Sequence, residues 1–591
     1  MKLIDKIKSK VSKKEFLFIC LFSVMFVFNY FIFNQFDILL NNPAEFGVTT
    51  NEIIGTFILF SIIILVLSVV GLIALCCYSK KGFAYTLATF IGLILAGYAQ
   101  VLFMNEGVMT FVTIDFLGQY ILNILIYALI IAVPIVILYL ARKKQKGFAP
   151  KLAVAICFII FGMQFVGLTS VAASAPQAAK NNELYYFSID EQLKLSKNEN
   201  IIIFVMDMMD AEVTDKVFYD NPETKQTFNG FTYYNDSAPE YLKTFPSIVS
   251  SMLTGEKYDE TTKSQVHYMK EAWKNEILLS ALKDNNYTVN GLMEYATAFY
   301  DFNDLEGKFD NIKMMERKNR IIKGGRFFGG MLSYAFMRHS PIILQPIVGY
   351  WRSKSSHSVE VKGVPDYFPS ACTTNADLKF YDKLVKQGLS IDTEKEENVF
   401  SFVHLHASHF PYTYNENLKR KNSNVYAKTR GSFKILDEYF SQMKGLVGDN
   451  GETLYDNSTI IVLADHGGYD YGNDTKIENP PTAALLIKQS SAVDPLGKDV
   501  EPLRFDYQSQ MSHSNFIPTI LEIIGEDSKK TAGSYFDVIN GNTAFPEIKG
   551  PGVQTRTFYF VRYMNLASSK FFFKYEIIGH SNTIYNWNKI K

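Results

Sequence analysis

Cysteine is scarce, with five in 591 residues. Cys20, Cys76, Cys77 and Cys157 fall in or beside long apolar runs, leaving only Cys372 in the rest of the chain. This excludes an internal disulfide framework there and argues against a cysteine-ligated metal. An excess of either charge is missing too, since 59 Lys and Arg balance 59 Asp and Glu. With no basic stripe interleaved with aromatics, nucleic acid is not an expected partner. Internal repeats and low-complexity tracts are not found.

Hydrophobic residues, by contrast, are abundant. They make up 48% of the chain, and mean hydropathy is +0.02 despite 20% charged residues. The excess lies before about residue 175; from about 180 onward the sequence reads as a globular domain. The length is too great for one core. Five apolar stretches, near 16–34, 53–77, 84–104, 119–141 and 151–173, are long enough to cross a bilayer, which takes about 20 residues. The second is almost free of polar side chains; the third and fifth are more mixed.

The loops set the expected orientation. MKLIDKIKSKVSKK, YSKKG and ARKKQKGFAPK are basic, whereas NQFDILLNNPAEFGVTTNE and MNEGVMTFVTID carry acids and no Lys or Arg. By the positive-inside rule this places the N-terminus in the cytoplasm and everything after about 175 outside a cell membrane crossed five times. The first span lacks a small-residue cleavage site and four more follow, so it is not expected to be a cleaved signal peptide. SVAASAPQAAKNN (170–182) reads as a small, polar linker. The expected division is 1–175 membrane helices, 176–198 linker, 199–545 catalytic domain and 546–591 a C-terminal β subdomain rich in aromatic and β-branched residues.

In the external part, NIIIFVMD (200–207), NVFSFVHLH (398–406) and STIIVLAD (458–465) are near-continuous apolar runs. Strands buried on both faces of a parallel or mixed sheet read this way. Amphipathic segments between them complete an α/β domain of three layers. In such sheets ligands sit beyond the carboxyl ends of the strands. Each run carries a polar cluster there: Asp207, His404 to His409, and Asp465-His466 followed by two glycines that would leave room for a phosphate.

Taken singly, each cluster has a bland explanation. An Asp after a strand serves as an N-cap or turn former, and a lone His is commonly a satisfied surface or core residue. Yet five of the nine histidines fall in HLHASH, DHG and SHSNF. Imidazole and carboxylate gathered at strand ends is what zinc or manganese requires. In EYLKTFPSIVSSMLTGE (240–256), Thr244 precedes Pro246 at a loop-to-helix junction. A hydroxyl among the positive backbone groups of a helix N-terminus suits a nucleophile attacking phosphorus; taken alone, Thr244 is better read as an N-cap.

Taken in order, these pieces resemble the sulfatase-like branch of the alkaline phosphatase superfamily. NIIIFVMDMMD is similar to its first strand and metal-binding acid, and TFPSIVSSMLTG to the sulfatase nucleophile motif C-x-P-S-R…L-x-T-G. HLHASHFPY resembles the region that binds the transferred group, STIIVLADHG the second metal strand, and SHSNFIPTILEIIG the late His and its helix. The resemblance covers about 199–526. It implies one divalent ion, Mn²⁺ or Zn²⁺ with Mg²⁺ as a further option, held by Asp207, Thr244, Asp465 and His466. It also implies Thr244 as nucleophile, His409 as a phosphate contact, and His513 either as another contact or as ligand to a second ion. His404 and His406 lie along one strand, and at most one of them is expected to face the site. Arg352, beside Trp351, is a further candidate for a head-group contact.

Two departures narrow the expectation. Thr244 and Ile248 stand where a sulfatase has its modified Cys or Ser and its Arg, which argues against ordinary sulfatase activity. Thr is the nucleophile in lipoteichoic acid synthases and lipid A phosphoethanolamine transferases, which are similar in having five N-terminal spans before an external catalytic domain. The second group usually carries several disulfides, which this chain lacks. The first usually has Glu where Asp207 stands.

The function so implied is transfer of a phosphoglycerol-type head group from a membrane phospholipid, through a Thr-linked intermediate, to a cell-surface glycan or polymer. The alternatives are a phosphodiesterase, phosphatase or sulfatase-like hydrolase of the same fold and, in another class, an inert sensor or scaffold. The aromatic stretch 324–351 is expected either on the membrane interface or as a buried helix pair of the external domain.

Overall fold

The computed structural model describes residues 7, 9–41, 48, 50–104, 117–144, 148–174, 185–259, 265–293, 298–299, 301–314, 320–322, 324–345, 359–361, 376–393, 397–468, 477, 479–542, 554–561 and 572–590. The chain divides into two compact units. One comprises Met1–Leu184 and Glu316–Val364, the other Tyr185–Met315 and Pro365–Lys591. The second unit is therefore discontinuous, unlike the single block 199–545 expected from the sequence. Part of the expected 176–198 linker is regular structure of the second unit, including the strand Tyr185–Phe187.

The first unit holds five helices long and apolar enough to cross a membrane. Helix α1 (Lys13–Val27) begins at a capping box in which Ser12 and Glu15 satisfy each other's backbone N–H. It continues through a π-helical turn, Phe28–Phe33, into Asn34–Asn41. There Asn29 O accepts both the backbone N–H of Asn34 and, at 2.7 Å, its side-chain amide. Helices α2 (Thr50–Tyr78), α3 (Lys80–Ala99), α4 (Leu117–Lys144) and α5 (Phe148–Ser174) follow. Gly92 of α3 lets the helices close up, because a Cβ there would lie 2.8 Å from the Ile131 backbone of α4.

A sixth helix of this unit, Gly324–His339, comes from a much later part of the chain. It packs among the N-terminal helices rather than inside the second unit. Phe328 stacks on Phe60 with ring centroids 4.7 Å apart, and Phe327, Phe328 and Met331 are buried with Phe31 and Phe57. At its end, Arg338 pairs with Asp37 at 2.7 Å, Asn34 donates to His339 Nε2 at 3.2 Å, and Tyr127 donates to His339 O at 2.7 Å.

The second unit is built on a mixed eight-stranded sheet. Its strands are β1 (Asn200–Met206), β2 (Thr232–Ala238), β3 (Tyr287–Leu292), β4 (Asn398–Leu405), β5 (Thr459–Leu463), β6 (Ala483–Lys488), β7 (Arg504–Asp506) and β8 (Met511–Ser512). The order across the sheet is β7-β2-β6-β5-β1-β4-β3, with β8 also on β2. Only β6 runs antiparallel to its neighbours among the described strands. Every residue of β1 and β5 is buried, because helices cover both faces. Those used below are α6 (Ala211–Asp220), α7 (Ala376–Gln387), α8 (Val425–Lys444) and α9 (Phe516–Ile523).

An antiparallel sheet of β9 (Thr555–Val561), β10 (Phe572–Ile578) and β11 (Trp587–Lys589) closes the chain. It is pinned to β2 by a buried ion pair, Arg556 Nη1 to Asp236 Oδ1 at 2.8 Å. The N–H of Ser581 donates to the same oxygen at 2.9 Å, and Arg556 donates to Met511 O at 2.8 Å, just before His513.

Candidate active site and metal centre

The register of three strands builds the site. Val205 of β1 lies opposite His404 of β4 and Leu463 of β5. Two residues beyond that rung come Asp207, His406 and Asp465, all at the carboxyl edge. The Asp207 N–H donates to Leu405 O at 2.9 Å and its carbonyl accepts from Ser408 N–H at 3.0 Å, which locks β1 and β4 together at this end.

Asp465 is fully buried. Its Oδ1 accepts from the N–H groups of Met208 (3.0 Å) and His466 (2.8 Å), while Oδ2 has no hydrogen-bond partner. Burial alone would raise its pKa; His466, His404 and the Met208 N–H outweigh that and hold the carboxyl below its ordinary value. The His466 ring is oriented by Nδ1, which lies 2.9 Å from Gly467 O and donates to it. That leaves the Nε2 lone pair facing Asp465 Oδ2 (3.4 Å), Asp207 Oδ1 (3.9 Å) and Thr244 Oγ1 (3.5 Å). A metal-ligating imidazole has this arrangement, with its other nitrogen fixed by a carbonyl.

Asp207, Asp465 and His466 each offer one ligand atom, all within 4.8 Å of one another. Two carboxylates in so small a buried space repel unless a cation offsets them, and the unpartnered Asp465 oxygen needs a partner. The donor set therefore fits one divalent ion. Asp207 also groups with His406 and His409 within the same limit. His404 Nε2 lies 3.7 Å from Asp207 Oδ2. Both histidines thus approach Asp207, against the expectation that only one would, because residues two apart on a strand share one face.

Thr244 opens the helical turn Thr244–Pro246, which continues as a π-helix, Ser247–Thr254. It is not an N-cap. Lys243 holds that position without a side-chain cap bond, and the Thr244 hydroxyl is turned to His466. Burial and the neighbouring His406 and His466 push His409 down to about 4. His513 is likewise pushed to about 4 by burial, with Asp465 raising it and His466 lowering it. Both rings are neutral at physiological pH, and neither nitrogen of His513 has a hydrogen-bond partner. Arg352 lies outside the described residues.

Three supporting residues gave no signal in the sequence. Lys428 of α8 is buried and donates to His409 O at 2.7 Å. Asp377 of α7 accepts from the His406 N–H at 2.8 Å and from Tyr414 OH at 2.7 Å. Asp210, the N-cap of α6, accepts from Gly468 N–H at 3.0 Å, and burial raises its pKa to about 6. The role expected for the first of the two glycines changes. A Cβ on Gly467 would lie 2.5 Å from Pro481 C and Thr482 O, so that glycine serves a close backbone crossing and not the approach of a phosphate.

A threonine hydroxyl beside carboxylates and an imidazole that could hold a metal, at the carboxyl edge of a mixed α/β sheet, is the arrangement of an enzyme of the alkaline phosphatase superfamily. A family model described as Sulfatase matches residues 200–526, more than half of the chain, which therefore belongs to the sulfatase family. Comparison with curated protein sequences finds no match. Among solved structures, the chain is similar to an alkaline phosphatase superfamily protein from Vibrio parahaemolyticus at 14% identity and TM-score 0.39, covering 67% of this chain and 80% of that one. It is similar to the lipoteichoic acid synthase LtaP from Listeria monocytogenes at 12% identity and TM-score 0.36, covering 67% and 91%. For the soluble domain of lipooligosaccharide phosphoethanolamine transferase A from Neisseria meningitidis the values are 13%, 0.32, 56% and 88%.

Proposed function

We propose that this protein transfers a phosphoglycerol-type head group from a membrane phospholipid to a hydroxyl of a cell-surface glycan or polymer, working on the outer face of the membrane. The observation that carries the reading is the Thr244 hydroxyl 3.5 Å from His466 Nε2, at the position where a sulfatase has its modified Cys or Ser. A metal bound by Asp207, Asp465 and His466 beside Thr244 would supply Lewis-acid charge and lower the hydroxyl's pKa.

In the first half-reaction a Thr244 Oγ–P bond forms and the bond from phosphorus to the diacylglycerol oxygen breaks. The leaving oxygen takes the electron pair and then a proton, while the hydroxyl proton of Thr244 passes to solvent. In the second, the acceptor hydroxyl oxygen attacks phosphorus and Thr244 leaves, regaining a proton. Neutral His513, with neither ring nitrogen engaged, can donate an N–H to the phosphoryl oxygens, where charge develops; the one N–H of neutral His409 is held by Phe410 O, which leaves its Nε2 lone pair to accept a proton or a cation. The long apolar helices fit a donor whose acyl chains stay in the bilayer, and the basic and acidic loops support the outward placement.

The test is incubation of the purified protein and Mn²⁺ with phosphatidylglycerol carrying a fluorescent acyl chain. Release of labelled diacylglycerol is expected. Turnover of a soluble phosphodiester, with no release from any common phospholipid, would replace the transferase reading with a hydrolase.

A further inference from the structure

A cleft of about 520 Å³ lies along α6 on the second unit, and the transfer chemistry does not use it. One wall is α6, with Phe218 and Tyr219 in its last turn; the other is β7 and its continuation, with Phe505 and Tyr507. Phe505 and Tyr507 stack with centroids 5.9 Å apart and planes 18° apart. Tyr219 is 85% exposed and Tyr507 49%. A soluble surface that keeps two such phenols open, over an aromatic floor, presents stacking faces.

The charges on the same walls cancel. Glu212, Asp215 and Lys216 of α6 line the cleft together with Lys225. Lys216 is engaged with Asp220 at 2.8 Å and lies 5.7 Å from the Tyr426 ring centre, and Lys225 lies 5.4 Å over Phe505. Asp215 Oδ2 accepts from the Asn235 amide at 3.3 Å. The lining thus offers aromatic faces with carboxylate acceptors and no net charge. That combination suits sugar rings, whose C–H faces stack on aromatics while their hydroxyls donate to carboxylates. It does not suit a polyanion.

The placement is directional. β7 runs parallel to β2 with Asp506 opposite Tyr234, so Tyr507 comes at the carboxyl edge, the edge that carries the catalytic groups. Helix α6 starts at Asp210, which holds Gly468 N–H beside His466. From Glu212 to Tyr219 the helix rises about 10 Å, leading away from that edge.

We infer that this cleft binds the rings of an uncharged oligosaccharide and holds it as the acceptor for the Thr244 site. The acceptor role rests on the transferase reading; the binding does not. The test uses the full chain in a detergent without a sugar head, with maltotriose, cellotriose and chitotriose as probes in saturation-transfer NMR and calorimetry. Saturable binding of at least one is expected. It should weaken at least tenfold in both Tyr219→Ala and Tyr507→Ala and be largely kept in Tyr507→Phe. Absence of saturable binding, binding unmoved by either alanine, or preferential binding of dextran sulfate would overturn the assignment.

A second arm separates the two readings. Transfer to the bound sugar should fall at least tenfold in Tyr219→Ala and in Tyr507→Ala. Sugar binding that depends on the tyrosines, with no lipid cleavage by the wild type, would sink the transferase and keep the cleft. Transfer to sugar that both alanine variants leave intact would sink the acceptor role.

Discussion

Thr244 Oγ1 lies 3.5 Å from His466 Nε2, and the same imidazole nitrogen lies 3.4 Å from Asp465 Oδ2. The proposed nucleophile and the proposed metal ligands therefore share one small volume. Replacing Thr244 by Ala should lower turnover of lipid or phosphodiester by at least about a thousandfold without lowering the melting temperature, because Thr244 is part-exposed and caps nothing. Thr244→Ser should keep measurable activity. An active Thr244→Ala variant would remove the nucleophile assignment under any reading of the substrate.

The unpartnered Asp465 oxygen gives a readout independent of turnover. Adding Mn²⁺ or Zn²⁺ to the chelated protein should raise its melting temperature, since an ion bound only by the native state stabilises it. In Asp465→Asn the two N–H groups of Met208 and His466 still find an oxygen, but the metal-dependent shift should vanish. A variant that keeps the full shift would show that the ion sits elsewhere.

His409 and His513 set an acid limit. Each ring falls from its ordinary 6.5 to about 4 in the fold, chiefly through burial. Between those values the unfolded chain binds more protons than the native one, so stability rises with pH through this window and is lost as pH falls from about 6.5 towards 4. The loss is of the order of a few kcal/mol for the pair. Thermal melts of metal-free protein from pH 7 to 4 should record it, and His513→Gln should flatten the slope. A profile that His513→Gln leaves unchanged would contradict the burial argument.

The strands and the carboxylates at their ends were legible because burial on both faces leaves an unbroken apolar run. Asp207 and Asp465 stand out where β1 and β5 stop. The supporting residues were not. Lys428 sits between Ala427 and Thr429 on an ordinary amphipathic helix, and only the fold carries it beneath His409. Asp377 reaches His406 from a segment 29 residues away, which no local pattern encodes. The helix Gly324–His339 could not be placed from its sequence, for a different reason. Aromatic and small residues with a few cations suit a bilayer surface and a helix bundle equally, and its choice rests on distant partners such as Asp37 and Phe60.

The C-terminal sheet was assigned no chemistry, yet its Arg556 reaches Asp236 of β2 with both side chains almost wholly buried. Removing Arg556 leaves the buried Asp236 with His580 Nδ1, at 2.6 Å, as its remaining ion-pair partner, and breaking a buried pair costs about 3–5 kcal/mol. Arg556→Ala should therefore destabilise the second unit by that order in urea unfolding. It should also reduce activity, because the same guanidinium fixes Met511 O, two residues before His513. Arg556→Met together with Asp236→Leu, which strands neither charge, should recover much of the stability but not the activity. Equal loss of stability in the single and double variants would show that shape and not charge holds this joint.

The inserted helix makes the last prediction. Arg338 and Asp37 pair at 2.7 Å with side-chain exposures of 20% and 15%, in surroundings that are otherwise aromatic. Water screens such a pair little, so each charge depends on the other. Asp37→Arg and Arg338→Asp should each lower the melting temperature in detergent, and the double reversal should recover most of the loss. Gly97 guards the same junction from another side, since a Cβ there would lie 2.8 Å from His339 Cδ2. Gly97→Leu should thus expose the segment around Ser340 to protease in a way that charge reversal cannot repair. If both single reversals were as stable as the wild type, the pair would be incidental, and the aromatic contacts of Phe327 and Phe328 alone would hold the helix in place.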